Sequence, residues 1–113
     1  MKIYHNPRCM KSRQTLELIR DAGVEPQVVE YLKSPPSAAE LERIVNMLGL
    51  APQQLMRTKE KAYQALGLDK QKLSRKEAIR VLVENPILIE RPIVVAGSKA
   101  VLGRPPENVK ALL

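Results

Sequence analysis

Breaker residues punctuate this chain at short intervals, and that punctuation limits its possible folds more than any other feature. Asn6-Pro7 ends an apolar-leaning start, Lys2 to His5, that reads as a strand. A helical pattern begins at about Cys9, with Leu16, Ile19 and Ala22 on one face and Gly23 as its C-terminal stop. Gln27 to Tyr31, with Val28, Val29 and Tyr31, reads as a second strand. After Pro35-Pro36, Ser37 and Glu40 form a capping box, Leu41, Ile44, Val45 and Leu48 recur at helical spacing, and Gly49 closes that helix. Pro52 to Leu68 reads as short helical turns of mixed polarity. A second capping box, Ser74 with Glu77, opens a helix that Asn85-Pro86 ends. Ile93-Val94-Val95 and Ala100-Val101-Leu102 flank Gly97-Ser98, the pattern of a tight β-hairpin, and the tail after Pro106 has room for one short helix.

Two strands joined by a helix are expected to be parallel, and the closing hairpin antiparallel. The fold class is therefore α/β: a small mixed sheet flanked by helices. A chain of 113 residues suits one domain, 1–113. With no Phe, no Trp and three Tyr, its core must be aliphatic. The first residues carry no apolar stretch of signal-peptide length, and no window is long and apolar enough to span a bilayer. The expectation is a cytoplasmic protein without a membrane partner.

There is one cysteine, Cys9, which excludes an internal disulfide framework and a multi-cysteine metal site. The formal net charge of +7 favours anionic partners. Nucleic acid is disfavoured among these, because the aromatic residues on which bases stack are nearly absent. No dense Lys/Arg block forms a basic tail either.

The stretch that carries chemistry is His5-Asn6-Pro7-Arg8-Cys9-Met10-Lys11-Ser12-Arg13. It places Cys9 after a strand and at the first turn of a helix, where unpaired N–H groups and the macrodipole favour negative charge. A thiol there is expected to be acidified, with Arg8, Lys11, Arg13 and His5 adding positive charge nearby. The same amides and guanidinium groups suit a tetrahedral anion. The bland alternative makes Cys9 a small buried hydrophobe and the basic residues a solvated face.

This segment resembles the active-site loop of the glutaredoxin-linked arsenate reductases, the ArsC family, in which His, Cys and Arg are each separated by three residues. His5, Cys9 and Arg13 match that spacing. The resemblance continues through Tyr31-Leu32 with Pro35-Pro36, Leu55-Met56-Arg57, the run from Asn85-Pro86 to Arg91-Pro92-Ile93-Val94-Val95, and Gly103-Arg104-Pro105. It implies a thioredoxin-like fold with an inserted helical region, roughly 37–84. It implies Cys9 as the nucleophile toward arsenate, with Arg57, Arg91 and Arg104 as oxyanion-binding positions. His5 and Arg13 would tune the thiolate, Ser12 would hydrogen-bond to its sulfur, and Pro92 would follow a cis peptide bond. Glutathione is implied as co-substrate and glutaredoxin as partner, with no tightly bound cofactor and no metal.

Residue chemistry agrees with an external electron source. Cys9-Met10-Lys11-Ser12 is C-x-x-S, so any redox cycle must borrow a thiol from another molecule. Two other readings remain. A glutaredoxin-like thiol oxidoreductase acting on glutathionylated partners would need Cys9 but none of the three arginines. An Spx-like regulator that binds RNA polymerase would more often show C-x-x-C, so Ser12 argues against it.

Overall fold

The computed structural model describes all 113 residues and divides into two compact units. Met1–Ser34 and Arg91–Leu113 form one, and Pro35–Glu90 the other. The inserted unit is thus wider than the expected 37–84. The Pro86–Leu88 turn and a bridge between Met56 and Ile89 keep the chain within it up to Glu90.

The first unit carries the sheet. Strands β1 (Lys2–His5), β2 (Gln27–Glu30), β3 (Ile93–Ala96) and β4 (Lys99–Leu102) lie in the order β2-β1-β3-β4. β1 runs parallel to β2, pairing Ile3 with Val28 and His5 with Glu30, and antiparallel to β3, pairing Ile3 with Val94. β3 and β4 form the hairpin, turning at Gly97 with a φ of 60°, a left-handed angle that suits glycine. This mixed sheet with flanking helices is thioredoxin-like.

Helix α1 (Met10–Asp21) crosses from β1 to β2, and Gly23 at a φ of 84° ends its turn. Its buried stripe is Ser12, Thr15, Leu16 and Ile19, so apolar residues fill only half of it. Leu16 and Ile19 pack with Ile3, Val94 and Val109, the last from a final 3-10 helix at Pro106–Leu112. β2 ends at Glu30, one residue short of the expected Tyr31, which is fully buried, while Val28 is 38% exposed at the sheet edge.

The second unit is helical: α2 (Ala38–Leu48), α3 (Lys61–Ala65) and α4 (Arg75–Glu84), with 3-10 turns between them. Ser37 Oγ accepts the Glu40 N–H at 3.1 Å, satisfying one orphan donor of α2. At α4 both halves of the box form: Glu77 N–H donates to Ser74 Oγ at 3.2 Å, and Ser74 N–H donates to Glu77 Oε1 at 3.0 Å. Leu41, Ile44, Val45, Leu55, Leu82 and Leu88 are buried in this unit. No helix of the protein is long and apolar enough to cross a membrane.

Ile19 is fully buried in the sheet unit, whereas Val28 is partly exposed at the edge. Ile19→Ala should therefore cost about 2–5 kcal/mol, and Val28→Ala less than about 0.5 kcal/mol. Urea unfolding of the two variants measures the difference; equal costs would contradict this placement of the core.

Candidate active site

Cys9 is the N-cap of α1, half-buried, with extended backbone angles of −95° and 120°. A brace of hydrogen bonds holds the loop before it. Cys9 N–H donates to the Asn6 carbonyl at 3.0 Å, and Arg8 N–H donates to Asn6 Oδ1 at 3.0 Å. Asn6 N–H in turn donates to Ser12 Oγ at 3.1 Å. Asn6 is buried and joins strand end, loop and first helical turn. Its only sequence signal was the Asn-Pro break, which marks a turn without revealing this role.

Burial pushes the Cys9 thiol up, since it disfavours the charged form. The Ser12 backbone N–H, the Arg91 guanidinium and the Lys11 backbone N–H favour the thiolate and outweigh that cost. They hold the thiol below its ordinary range. Two helix-terminal amides therefore act here, as the position of the cysteine requires. The cationic contribution comes from Arg91, distant in sequence.

The side chains of the other loop residues bond to one another and to the loop backbone. The Ser12 hydroxyl faces His5, with Oγ 2.6 Å from His5 Nδ1, so it is the Ser12 backbone that serves the sulfur. Burial lowers the His5 pKa first; Glu30 pulls it up, while Arg20 and Arg13 push it further down. Held below its usual value, His5 is neutral at pH 7, a hydrogen-bonding anchor for Ser12. The Arg13 guanidinium donates to the Pro7 carbonyl at 2.9 Å and clamps the loop from its exposed side.

Arg91 and Arg104 meet through the hairpin. Arg91 lies two residues before β3, Arg104 two residues after β4, and the antiparallel hairpin returns the second beside the first. Arg104 Nη1 donates to the Arg91 carbonyl at 3.1 Å. The Arg91–Pro92 peptide is cis, and so is Arg104–Pro105, which the sequence did not signal.

Arg57 belongs to the inserted unit. Its Nε donates to Glu60 Oε1 at 3.0 Å and its Nη1 to Glu90 Oε1 at 2.8 Å. Burial works against its charge, but the two carboxylates prevail and hold it above the usual arginine range. Backbone bonds from Arg57 N–H to the Leu88 carbonyl at 2.7 Å and from Glu90 N–H to the Leu55 carbonyl at 2.8 Å fix that pairing. No group of three or more His, Cys, Asp or Glu is arranged to hold a metal ion.

The sheet is thioredoxin-like, with one acidified cysteine at the cap of its first helix and the Arg91 guanidinium acting on that thiol. The pattern of the ArsC family matches residues 4–112. The chain is similar to the arsenate reductase of Neisseria meningitidis serogroup A, 47% identical over 114 residues that cover 100% of this chain and 97% of that protein. It is also similar to the Escherichia coli K12 protein YfgD, 53% identical over 110 residues, 96% of this chain and 92% of that one. Among solved structures, the arsenate reductase from Vibrio cholerae superimposes with a TM-score of 0.95 at 46% identity, covering 100% of this chain and 98% of that one. The chain belongs to the ArsC family.

Folding favours the Cys9 thiolate, so its contribution to stability is full above the unfolded thiol pKa and fades as pH falls through the lower folded value. Alkylation of this thiol with iodoacetamide across pH should give a midpoint below the free-thiol value of about 8.5. Arg91→Ala should move that midpoint upward. A midpoint at or above the free-thiol value would contradict the electrostatics described.

Proposed function

We propose that the protein is an arsenate reductase that uses glutathione and glutaredoxin, with Cys9 as the nucleophile. The observation that carries this reading is the Arg91 guanidinium acidifying the Cys9 thiol, with Arg104 bonded to the Arg91 carbonyl. A thiolate and an oxyanion repel each other, so their reaction needs fixed cations where the charge accumulates. Arginine suits the task, because its planar fork stays charged and donates two hydrogen bonds to one anion. The arsenate reductase names of the relatives from Neisseria and Vibrio support the same substrate.

In the proposed cycle the Cys9 thiolate attacks arsenic, a hydroxyl group takes a proton from solvent and leaves as water, and a sulfur–arsenic bond forms. Glutathione displaces a second hydroxyl, again as water, giving arsenic(V) between two sulfurs. A glutaredoxin thiolate then attacks the glutathione sulfur. The electron pair of that sulfur–arsenic bond stays on arsenic, reducing it to arsenic(III), and glutathione leaves as a mixed disulfide with glutaredoxin. Water cleaves the remaining bond, releasing arsenite and restoring the Cys9 thiolate. The absence of a second cysteine is why two outside thiols enter the cycle.

Arg91 and Arg104 are assigned to the oxyanion. Arg57 is assigned an assisting role, because Glu60 and Glu90 already occupy its guanidinium.

Arsenite production from arsenate, with glutathione and glutaredoxin supplied, tests the assignment. Cys9→Ser should fold normally and produce none, since a serine hydroxyl is a far weaker nucleophile at neutral pH. Wild-type protein that makes no arsenite would end this reading. Arg91→Ala and Arg104→Ala should each lower kcat/KM about ten- to a hundredfold, with Arg57→Ala costing less. Intact arsenate kinetics in the first two variants would remove the oxyanion assignment.

A further inference from the structure

Thr15 is fully buried on α1, in a stripe where an apolar residue would be ordinary. Its hydroxyl donates to the Lys11 carbonyl one turn earlier, at 2.8 Å, and lies 3.5 Å from the Gly103 carbonyl. Gly103 N–H donates to the Pro92 carbonyl at 2.9 Å. A Cβ placed on Gly103 would collide with Thr15 Oγ1, and would stand 2.7 Å from Pro92 Cγ and 3.0 Å from Thr15 Cγ2. Real Cβ atoms essentially never come closer than 3.0 Å to such neighbours, so the chain here has room for glycine alone. Gly103 has no left-handed backbone angle to explain it. The requirement is close approach.

The place of this contact gives it meaning. Pro92 follows Arg91, Gly103 precedes Arg104, and Lys11 supplies one of the amides on the Cys9 sulfur. One packed joint thus ties the segments bearing both arginines to the first turn of the helix that caps with the nucleophile. We propose that Thr15 and Gly103 are positioning residues that set the distance between the Arg91/Arg104 pair and the Cys9 sulfur, and thereby which anions fit between them. This rests on the oxyanion reading given above. Neither residue is assigned to the sulfur or to the anion. Each acts by how closely Gly103 lets the hairpin approach α1, and packed interiors transmit a shift of a few tenths of an ångström instead of absorbing it.

The experiment compares Gly103→Ala, Thr15→Ala and the double variant by circular dichroism, the pH midpoint of Cys9 alkylation, and arsenate kinetics. Gly103→Ala should keep its helix content, raise the alkylation midpoint as Arg91 withdraws, and raise KM for arsenate roughly ten- to a hundredfold with a smaller change in kcat. Thr15→Ala removes two of the three crowding atoms, so in the double variant the midpoint and KM should return partway. A folded Gly103→Ala protein with wild-type midpoint and KM overturns the proposal, as does a double variant no better than Gly103→Ala. Should Gly103→Ala alone fail to fold, a double variant that folds supports the joint, and one that also fails overturns it. The alkylation midpoint reads the joint without arsenate. A wild-type protein inactive on arsenate would therefore remove the proposed function while leaving this test standing.

Discussion

A half-buried sulfur carries negative charge only where something replaces the water it has lost, and that requirement organises the sheet unit of this protein. Free N–H groups are available in the first turn of a helix and almost nowhere else inside a fold. Cys9 stands at that turn, and the Lys11 and Ser12 amides reach it. The turn must itself be held still. Asn6 bonds to the backbone of Arg8 and Cys9 and to the Ser12 hydroxyl, which rests on a neutral His5. Each of these bonds would be of modest worth alone, about 0.5–1.5 kcal/mol. Together they fix the direction in which two amides point.

The second half of the charge balance arrives from the other end of the chain. Arg91 and Arg104 are 13 residues apart in the sequence, and the β3–β4 hairpin between them folds them together. A guanidinium is weakly hydrated and never loses its proton, so it can stand beside a thiolate and still present donors to an incoming oxyanion. The proposed reductase chemistry uses both properties, since the thiolate and its target are each anionic. Arg57 follows a different logic, paired with two carboxylates in the inserted unit.

Much of this architecture was legible from residue order. Ser74 and Glu77 form the reciprocal cap their spacing implied, Ser37 caps α2, Gly49 ends it with a φ of 69°, and Gly97 turns the hairpin. Such features are local, decided by atoms within four residues of each other. What residue order does not carry is nonlocal. Arg8, Lys11 and Arg13 looked like the source of charge around Cys9, yet Arg13 holds a loop carbonyl and the guanidinium on the sulfur is that of Arg91. Ser12 acts on the sulfur through its backbone N–H, while its hydroxyl lies against His5, because both side chains lie on buried faces of adjoining elements. The approach of Thr15 to Gly103, 88 residues away, left no pattern that periodicity detects. Gly103 entered the sequence reading only as part of a family resemblance.

In the proposed chemistry thiolate and oxyanion share one cation-lined site, and protection of the thiol tests that directly. Iodoacetamide alkylation of Cys9 is followed at fixed pH while arsenate is titrated in, without glutathione or glutaredoxin. The account predicts saturable slowing of alkylation in the wild type, and loss of that protection in Arg104→Ala while its alkylation rate without arsenate changes little. Alkylation that arsenate does not slow, or protection that persists unchanged in Arg104→Ala, would contradict it.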